Sequence, residues 1–445
     1  MIRDLKTSKK QTYFQYHSRG ASLMSCRGAG MGDFFLCITE TLCTFGITKN
    51  EICVRMENSS LKIGLFNECF PPIQDGVAQV VENYARLLQV RGNDVTVATA
   101  KVPFFDYSQP YHVRNFLSIP VLVRMPYRLG LPVWMAPFQP IMKYKADIYH
   151  GHSPFTAGRI ALKLSKKYNA PFVMTFHSKF RDDFRRSVPS DTVVDLMIKR
   201  IMSLYEYADE VWIPQPAVLD VMREYGYKGK VEVVPNAIDY DLSGIDISLL
   251  KQTSRKSLGI KSDEFCLLFV GQIIWEKNIA YILDAVNLLR DLPIKMFFVG
   301  KGYAESELKE KINRYGLNDK VVMTGQLQDR TALQVYYAAA DIFLFPSLYD
   351  NSPLVLREAA AHNTPAVLFE NTTSAEVINN GVNGFLSKQG DAAVYADYVK
   401  KILLDKKRLD TVGLKASQTL GLRWEQLMPE VEDRYRHLIS RKQNG

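Results

Sequence analysis

The chain has 445 residues, 47% hydrophobic and 23% charged, which is material for two or three compact units and excludes collagen-like, wholly disordered and small disulfide-bonded classes. Lys and Arg number 56 against 47 Asp and Glu, a formal charge of +9, and such a balance favours anionic partners such as phosphates or acidic lipid surfaces. The six cysteines form no C-x2-C pair and have no His at zinc-finger spacing, so reduced thiols in a cytoplasmic protein are expected.

Residues 1–55 hold four of the six cysteines and show no alternation of strand and helix. They are read as an N-terminal extension outside the folded domains, with Met56 as the expected natural start. No run of about 18 apolar residues suggests a membrane-spanning helix, and no apolar core with a small-residue cleavage site suggests a secretory signal.

From Lys62 the pattern becomes regular. KIGLFN (62–67) reads as a buried strand, residues 77–92 as a helix closed by Gly92, and DVTVATA as the next strand. After an irregular section, DIYHGH (147–152), PFVMTFH (171–177), EVWIP (210–214) and VEVVPN (231–236) read as strands alternating with helices around 156–168, 191–207 and 215–225. A second series runs FCLLFVGQ (265–272), IKMFFVGKG (294–302), KVVMTG (320–325), DIFLFPS (341–347) and PAVLFE (365–370). Such alternation demands parallel strands with helices on both faces. The expected fold is α/β, with two doubly wound Rossmann-like domains facing across a cleft. The first domain takes 56–240, a hinge 241–262, the second domain 263–422, and 423–445 forms a helix packing back on the first.

Ligands of such sheets bind at the carboxyl ends of strands, where loops and helix N-termini present unpaired N–H groups. In ECFPPIQDGVAQVV (68–81), Gly76 lets the backbone approach a ligand, although it also serves simply as a helix start. In SLYDNSPLVLREAAA (347–361), Asp350 lies in the loop and Glu358 inside the following helix, so the two carboxylates address opposite ends of one extended ligand. Between them the first helical turn suits a diphosphate; the plainer reading is that Ser352 and Pro353 only start a helix. GQIIWEKN (271–278) places Lys277 where it could neutralise a phosphate. HGHSPFTAG (150–158) and TFHS (175–178) put two histidines at neighbouring strand ends.

These segments, in this order, resemble the retaining nucleotide-sugar glycosyltransferases of the GT-B fold, family-four type, with their Glu-x7-Glu signature; the likeness spans roughly residues 61–440. The resemblance implies that Glu358 binds the ribose hydroxyls, that Asp350 faces the donor sugar, and that Lys277 grips the diphosphate. Leu354 and Val355 would donate N–H groups to it, since Pro353 has none, and Gly76 and Gln272 would complete donor binding. His152 would lie near the transferred sugar, making it catalytic with Lys277 and Asp350, and His177 would lie nearer the acceptor. Gln272 stands where the family usually has Arg, Asp350 where it has Glu, and Asp75 where many relatives have Gly. The triplet Asp239-Tyr240-Asp241 superficially matches a metal-binding Asp-x-Asp signature but sits in the interdomain turn, where loop punctuation explains it.

The expected function is transfer of a hexose, with retention, from a nucleoside-diphosphate sugar, by default a UDP-sugar, to a membrane lipid or glycan acceptor. No cofactor and no obligatory metal are expected. The alternatives are a soluble or polysaccharide acceptor, or a noncatalytic sugar-nucleotide-binding relative; a nucleic-acid partner is not expected, for want of a known binding motif. Residues 101–200 hold sixteen Lys and Arg against six Asp and Glu. Within 101–145, aromatics including Trp134 mix with Arg114, Arg124, Arg128, Lys143 and Lys145, and FHSKFRDDFRR (176–186) adds four more cations. Such mixing suits peripheral binding to an anionic cytoplasmic membrane face.

Overall fold

In a computed structural model that describes residues 60–73, 75–120, 128–131 and 140–444, the chain from Ser60 onward forms one compact unit. The expected extension over 1–55, with Arg124 and Trp134, lies outside the described residues.

The first lobe begins with β1 (Lys62–Phe66), α1 (Gly76–Val90), β2 (Asp94–Ala100) and β3 (His112–Phe116). An antiparallel pair follows, β4 (Ser118–Pro120) with β5 (Arg128–Gly130). Next come β6 (Ile148–Gly151), α2 (Thr156–Tyr168), β7 (Phe172–Thr175), α3 (Phe180–Arg185) and α4 (Asp191–Tyr205). The lobe ends with β8 (Glu210–Ile213), α5 (Val218–Glu224) and β9 (Glu232–Val233). The strand order is β3-β2-β1-β6-β7-β8-β9, parallel throughout. Helices cover both faces of such a sheet, so its central strands are apolar runs without alternation. In β2, every residue after Asp94 is accordingly buried.

The second lobe contains α6 (Ile247–Ser257), β10 (Phe265–Val270), α7 (Ile279–Leu288), β11 (Ile294–Val299), α8 (Glu305–Tyr315), β12 (Val321–Gly325) and α9 (Arg330–Ala339). It continues with β13 (Ile342–Leu344), α10 (Leu354–Ala361), β14 (Ala366–Phe369), β15 (Phe385–Ser387), α11 (Ala392–Leu404) and α12 (Lys406–Leu420). Its order is β12-β11-β10-β13-β14-β15, again parallel. Each order reverses once, between β1 and β6 and between β10 and β13. Loops leaving the two strands at a reversal diverge to opposite faces and open a crevice between them.

Two segments differ from what the sequence suggests. The stretch read as irregular contains β3, an edge strand whose partly exposed residues supply little apolar signal. The stretch read as a hinge carries α6. Asp246 caps that helix by accepting from Ser248 and Leu249 N–H, and Lys251 and Arg255 tie it to Asp341 at 2.8 and 2.9 Å. Ser254 is its one fully buried residue, so hydrophobic periodicity could not reveal it. The final helix, α13, runs Trp424–Asn444. Its Trp424, Leu427, Met428, Val431 and Tyr435 share a core with Val80, Val81, Tyr84 and Leu88 of α1.

Candidate functional site

The second-lobe half of the site is built where its strand order reverses. Beyond β10 the chain turns through Gly271 and a single 3-10 turn, Trp275–Lys277, before α7 begins. The neighbouring loop after β11 packs tightly against it. Gly300 has φ +142°, and a Cβ there would lie 1.9 Å from the Gly271 carbonyl oxygen, so only glycine fits. Across the reversal, Asn278 Nδ2 donates to the Pro346 carbonyl at 2.7 Å. That bond stitches the loop after β10 to the loop after β13.

Lys277 and Asp350 meet through this stitch. Their ammonium and carboxylate form an ion pair, and Asp350 Oδ2 accepts from Ser347 Oγ at 2.6 Å. Lys277 is 8% exposed and its Nζ lies 5.3 Å from the Tyr349 ring centroid. Pro353 precedes α10 in extended conformation, so the N–H groups of Leu354 and Val355 belong to the first turn, where no intrahelical acceptor exists. Glu358, one helical turn further, is 2% exposed. Its Oε1 accepts from Arg330 Nη2 and its Oε2 from the Tyr337 hydroxyl, each at 2.7 Å.

The first-lobe half also follows a reversal. The loop after β1 leads into Gly76, the first residue of α1, the loop after β6 carries His152, and the loop after β7 carries His177. Asp75 accepts from Ala78 N–H at 2.7 Å and starts α1, and a Cβ at Gly76 would meet nothing within 4 Å. His152 Nδ1 and His177 Nε2 are 3.1 Å apart, so one proton is shared between two neutral rings. Burial holds His152 well below the usual imidazole range and pulls His177 down to about 4. His150, also held low by burial, lies behind His152 at 4.0 Å between ring centroids; it is bonded to the Tyr435 hydroxyl at 2.6 Å and to Thr175 Oγ1 at 2.7 Å. These imidazoles can exchange hydrogen bonds at neutral pH but carry no charge.

The two halves enclose an interlobe cavity of about 1410 Å³. Gly76, Gln272, Lys277, Asp350, Leu354, Val355, Glu358 and His177 line it; His152 does not, and stands behind His177 with its Nε2 buried and unpartnered. Sequence reasoning missed several residues here. Asn351 Nδ2 donates across the cleft to the His177 carbonyl at 3.0 Å, and Asn236 Nδ2 to the Ser352 carbonyl at 2.9 Å. Tyr349 donates to the Asp183 carboxylate, and Arg186 pairs with Glu276 at 3.1 Å. The signal for Asn351 was its place beside Asp350; Arg330, the first residue of α9, had only its position just past the loop after β12. Asp239 and Asp241 pair with separate guanidinia, those of Arg86 and Arg423.

Two family models match the chain. "Glycosyltransferase Family 4" covers residues 74–242 and "Glycosyl transferases group 1" covers 251–419. The chain is 25% identical over 334 residues to the alpha-monoglucosyldiacylglycerol synthase of Streptococcus pneumoniae, covering 73% of this chain and 75% of that protein. It is 26% identical over 369 residues to the UDP-Gal:alpha-D-GlcNAc-diphosphoundecaprenol alpha-1,3-galactosyltransferase of Escherichia coli, covering 79% and 90%. Among solved structures, sucrose-phosphate synthase from Thermosynechococcus elongatus superposes with a TM-score of 0.71 at 21% identity, covering 85% of this chain and 99% of that one.

Proposed function

The chain belongs to the GT-B glycosyltransferases of the family-four type, and we propose that it moves a hexose, with retention of anomeric configuration, from a UDP-sugar to a lipid-borne acceptor. The observation that carries this reading is the meeting, in one cavity, of the Lys277 loop, the first turn of α10 and, from the opposite lobe, His177. Breaking the bond between the anomeric carbon and the diphosphate sends an electron pair onto phosphate oxygen. An ammonium and a helix N-terminus aimed at that oxygen stabilise the charge as it develops. Lys277 now pairs with Asp350; an arriving diphosphate carries more charge and competes for the ammonium, freeing Asp350 to accept from sugar hydroxyls.

The acceptor hydroxyl attacks on the face from which the diphosphate departs, a new C–O bond replaces the old, and the hydroxyl proton passes to the leaving phosphate. His177, neutral by burial, orients hydroxyls without adding charge, and His152 behind it holds the His177 ring through their shared proton. Lys277 and the α10 turn carry the leaving group's charge, so no metal is required in this scheme. With Gln272 in place of a guanidinium, more of the phosphate binding falls on Lys277.

The lipid acceptor is supported by the activities for which the two relatives above are named, and by exposed residues within 101–120 and 143–145. There Phe104, Phe105, Leu117 and Ile119 are exposed, as are Lys101, Arg114, Lys143 and Lys145. Among the described residues no helix is long and apolar enough to cross a membrane; attachment is proposed to be peripheral, at the cytoplasmic face.

The test is a panel of nucleoside-diphosphate sugars with membrane lipid extract and a metal chelator, read by mass analysis of products. Lys277→Ala is expected to lower turnover by about a hundredfold or more, as loss of a group facing developing charge does, and Glu358→Ala to raise KM for the donor, as loss of ground-state binding does. Full activity in both variants refutes the site, and activity that vanishes with the chelator refutes the metal-free scheme.

A further inference from the structure

Glu358 is held from several sides. Besides its bonds to Arg330 and Tyr337, its carbonyl meets His362 Nδ1 at 2.8 Å, and the His362 ring stacks on Tyr337. Arg330 is fixed in turn. Its guanidinium carbon lies 4.4 Å from the Tyr240 ring centroid, and the Tyr240 hydroxyl donates to the Arg330 carbonyl at 3.3 Å. Arg330 also lines the interlobe cavity, with 32% of its side chain exposed, while its Nε is buried without a partner.

A carboxylate buried alone would be costly, and the guanidinium offsets that cost. The pairing also decides orientation. An ionised carboxylate has about four acceptor directions, and Arg330 and Tyr337 occupy one on each oxygen. The remaining directions suit two hydroxyls on adjacent carbons, the pattern a ribose presents. The geometry points to Arg330 as a positioning residue: by clamping Glu358 in one rotation, it makes the donor site select ribonucleotides over 2′-deoxyribonucleotides. This rests on the donor reading above and adds to it a residue that neither motif nor spacing assigned.

The experiment compares UDP-glucose with its 2′-deoxyribose analogue as donors, and UDP with 2′-deoxy-UDP as ligands in calorimetry, which needs no turnover. Wild-type protein is expected to prefer the ribose forms by about ten- to a hundredfold, the worth of one hydrogen bond to a charged group. In Arg330→Met the preference should fall to within about threefold, through a raised KM for the ribose donor with kcat little changed. Arg330→Lys should restore part of it. Arg330→Gln carries the same expectation as Arg330→Met should the latter fail to fold. A purely structural ion pair would weaken both donors alike, so a wild-type ratio in these variants overturns the assignment while leaving the donor reading intact. Absence of binding and turnover for every nucleotide in wild-type protein would instead sink the donor reading, and this inference with it.

Discussion

Glu68, in the loop after β1, is a carboxyl that the proposed chemistry does not use. Its Oε1 accepts from Ala157 N–H at 2.6 Å near the start of α2, and its Oε2 from the Ser153 hydroxyl. Burial pushes its pKa up from 4.5 to about 7. The folded state therefore binds more protons, and the stability this lends is full below pH 4.5 and lost as pH rises through 7. Glu68→Gln keeps an acceptor for Ala157, reverses the Ser153 bond so that the amide donates to the hydroxyl oxygen, and has nothing to ionise. Relative to wild type it should gain roughly 2–3 kcal/mol between pH 5 and pH 8, because each tenfold difference in proton affinity between folded and unfolded chains is worth about 1.4 kcal/mol; urea melts at both pH values read it. The histidines act in the opposite sense: His177, lowered from 6.5 to about 4, lends stability that is present above 6.5 and lost as acid approaches 4. Comparing variant with wild type at each pH cancels that slope, and an unchanged difference between the two would show that Glu68 does not titrate as stated.

At the scale of elements, α13 belongs structurally to the first lobe although it follows the second in sequence. Trp424, 1% exposed, meets the Tyr84 ring edge-on at 5.7 Å, and Tyr435 stacks on Trp212 at 5.5 Å while bonding His150. The helix thus braces, from behind, β6, which carries His150 and leads into His152. Trp424→Ala should cost about 3–5 kcal/mol, the usual penalty for emptying a buried indole site, measured by chemical denaturation. A cost below about 1 kcal/mol would mean that the helix is not part of the first-lobe core.

Across the whole molecule, charge and shape work together. The contacts from Asn351, Asn236, Tyr349 and Arg186 hold the second-lobe loops against the first lobe, so the residues proposed to bind donor and acceptor face one cavity. The surplus of cations in the first lobe, beside the exposed Phe104, Phe105, Leu117 and Ile119, predicts binding to vesicles containing anionic lipid. Each surface cation adds on the order of 1 kcal/mol there, screened by salt. Co-sedimentation should rise with anionic lipid and fall at high ionic strength; indifference to lipid charge would count against the proposed membrane face.

The order of strands and helices was legible along the chain, because burial on both faces of a parallel sheet writes itself as short apolar runs, and helices as three- and four-residue spacing. Strand-end loops followed from that order, which is why Gly76, Lys277, Asp350 and Glu358 could be singled out with no structure in hand. β3 and α6 escaped because partly exposed elements leave little periodic signal. The pairings inside the cavity were decided by tertiary structure alone. Lys277 and Asp350 are 73 residues apart, and Asn351 and the His177 carbonyl 174. Neither the clamping of Glu358 by Arg330 nor the placing of His152 behind His177 has a local signature. Those contacts depend on which strands become neighbours where each sheet reverses, and that is settled by packing the whole chain, not by any stretch of it.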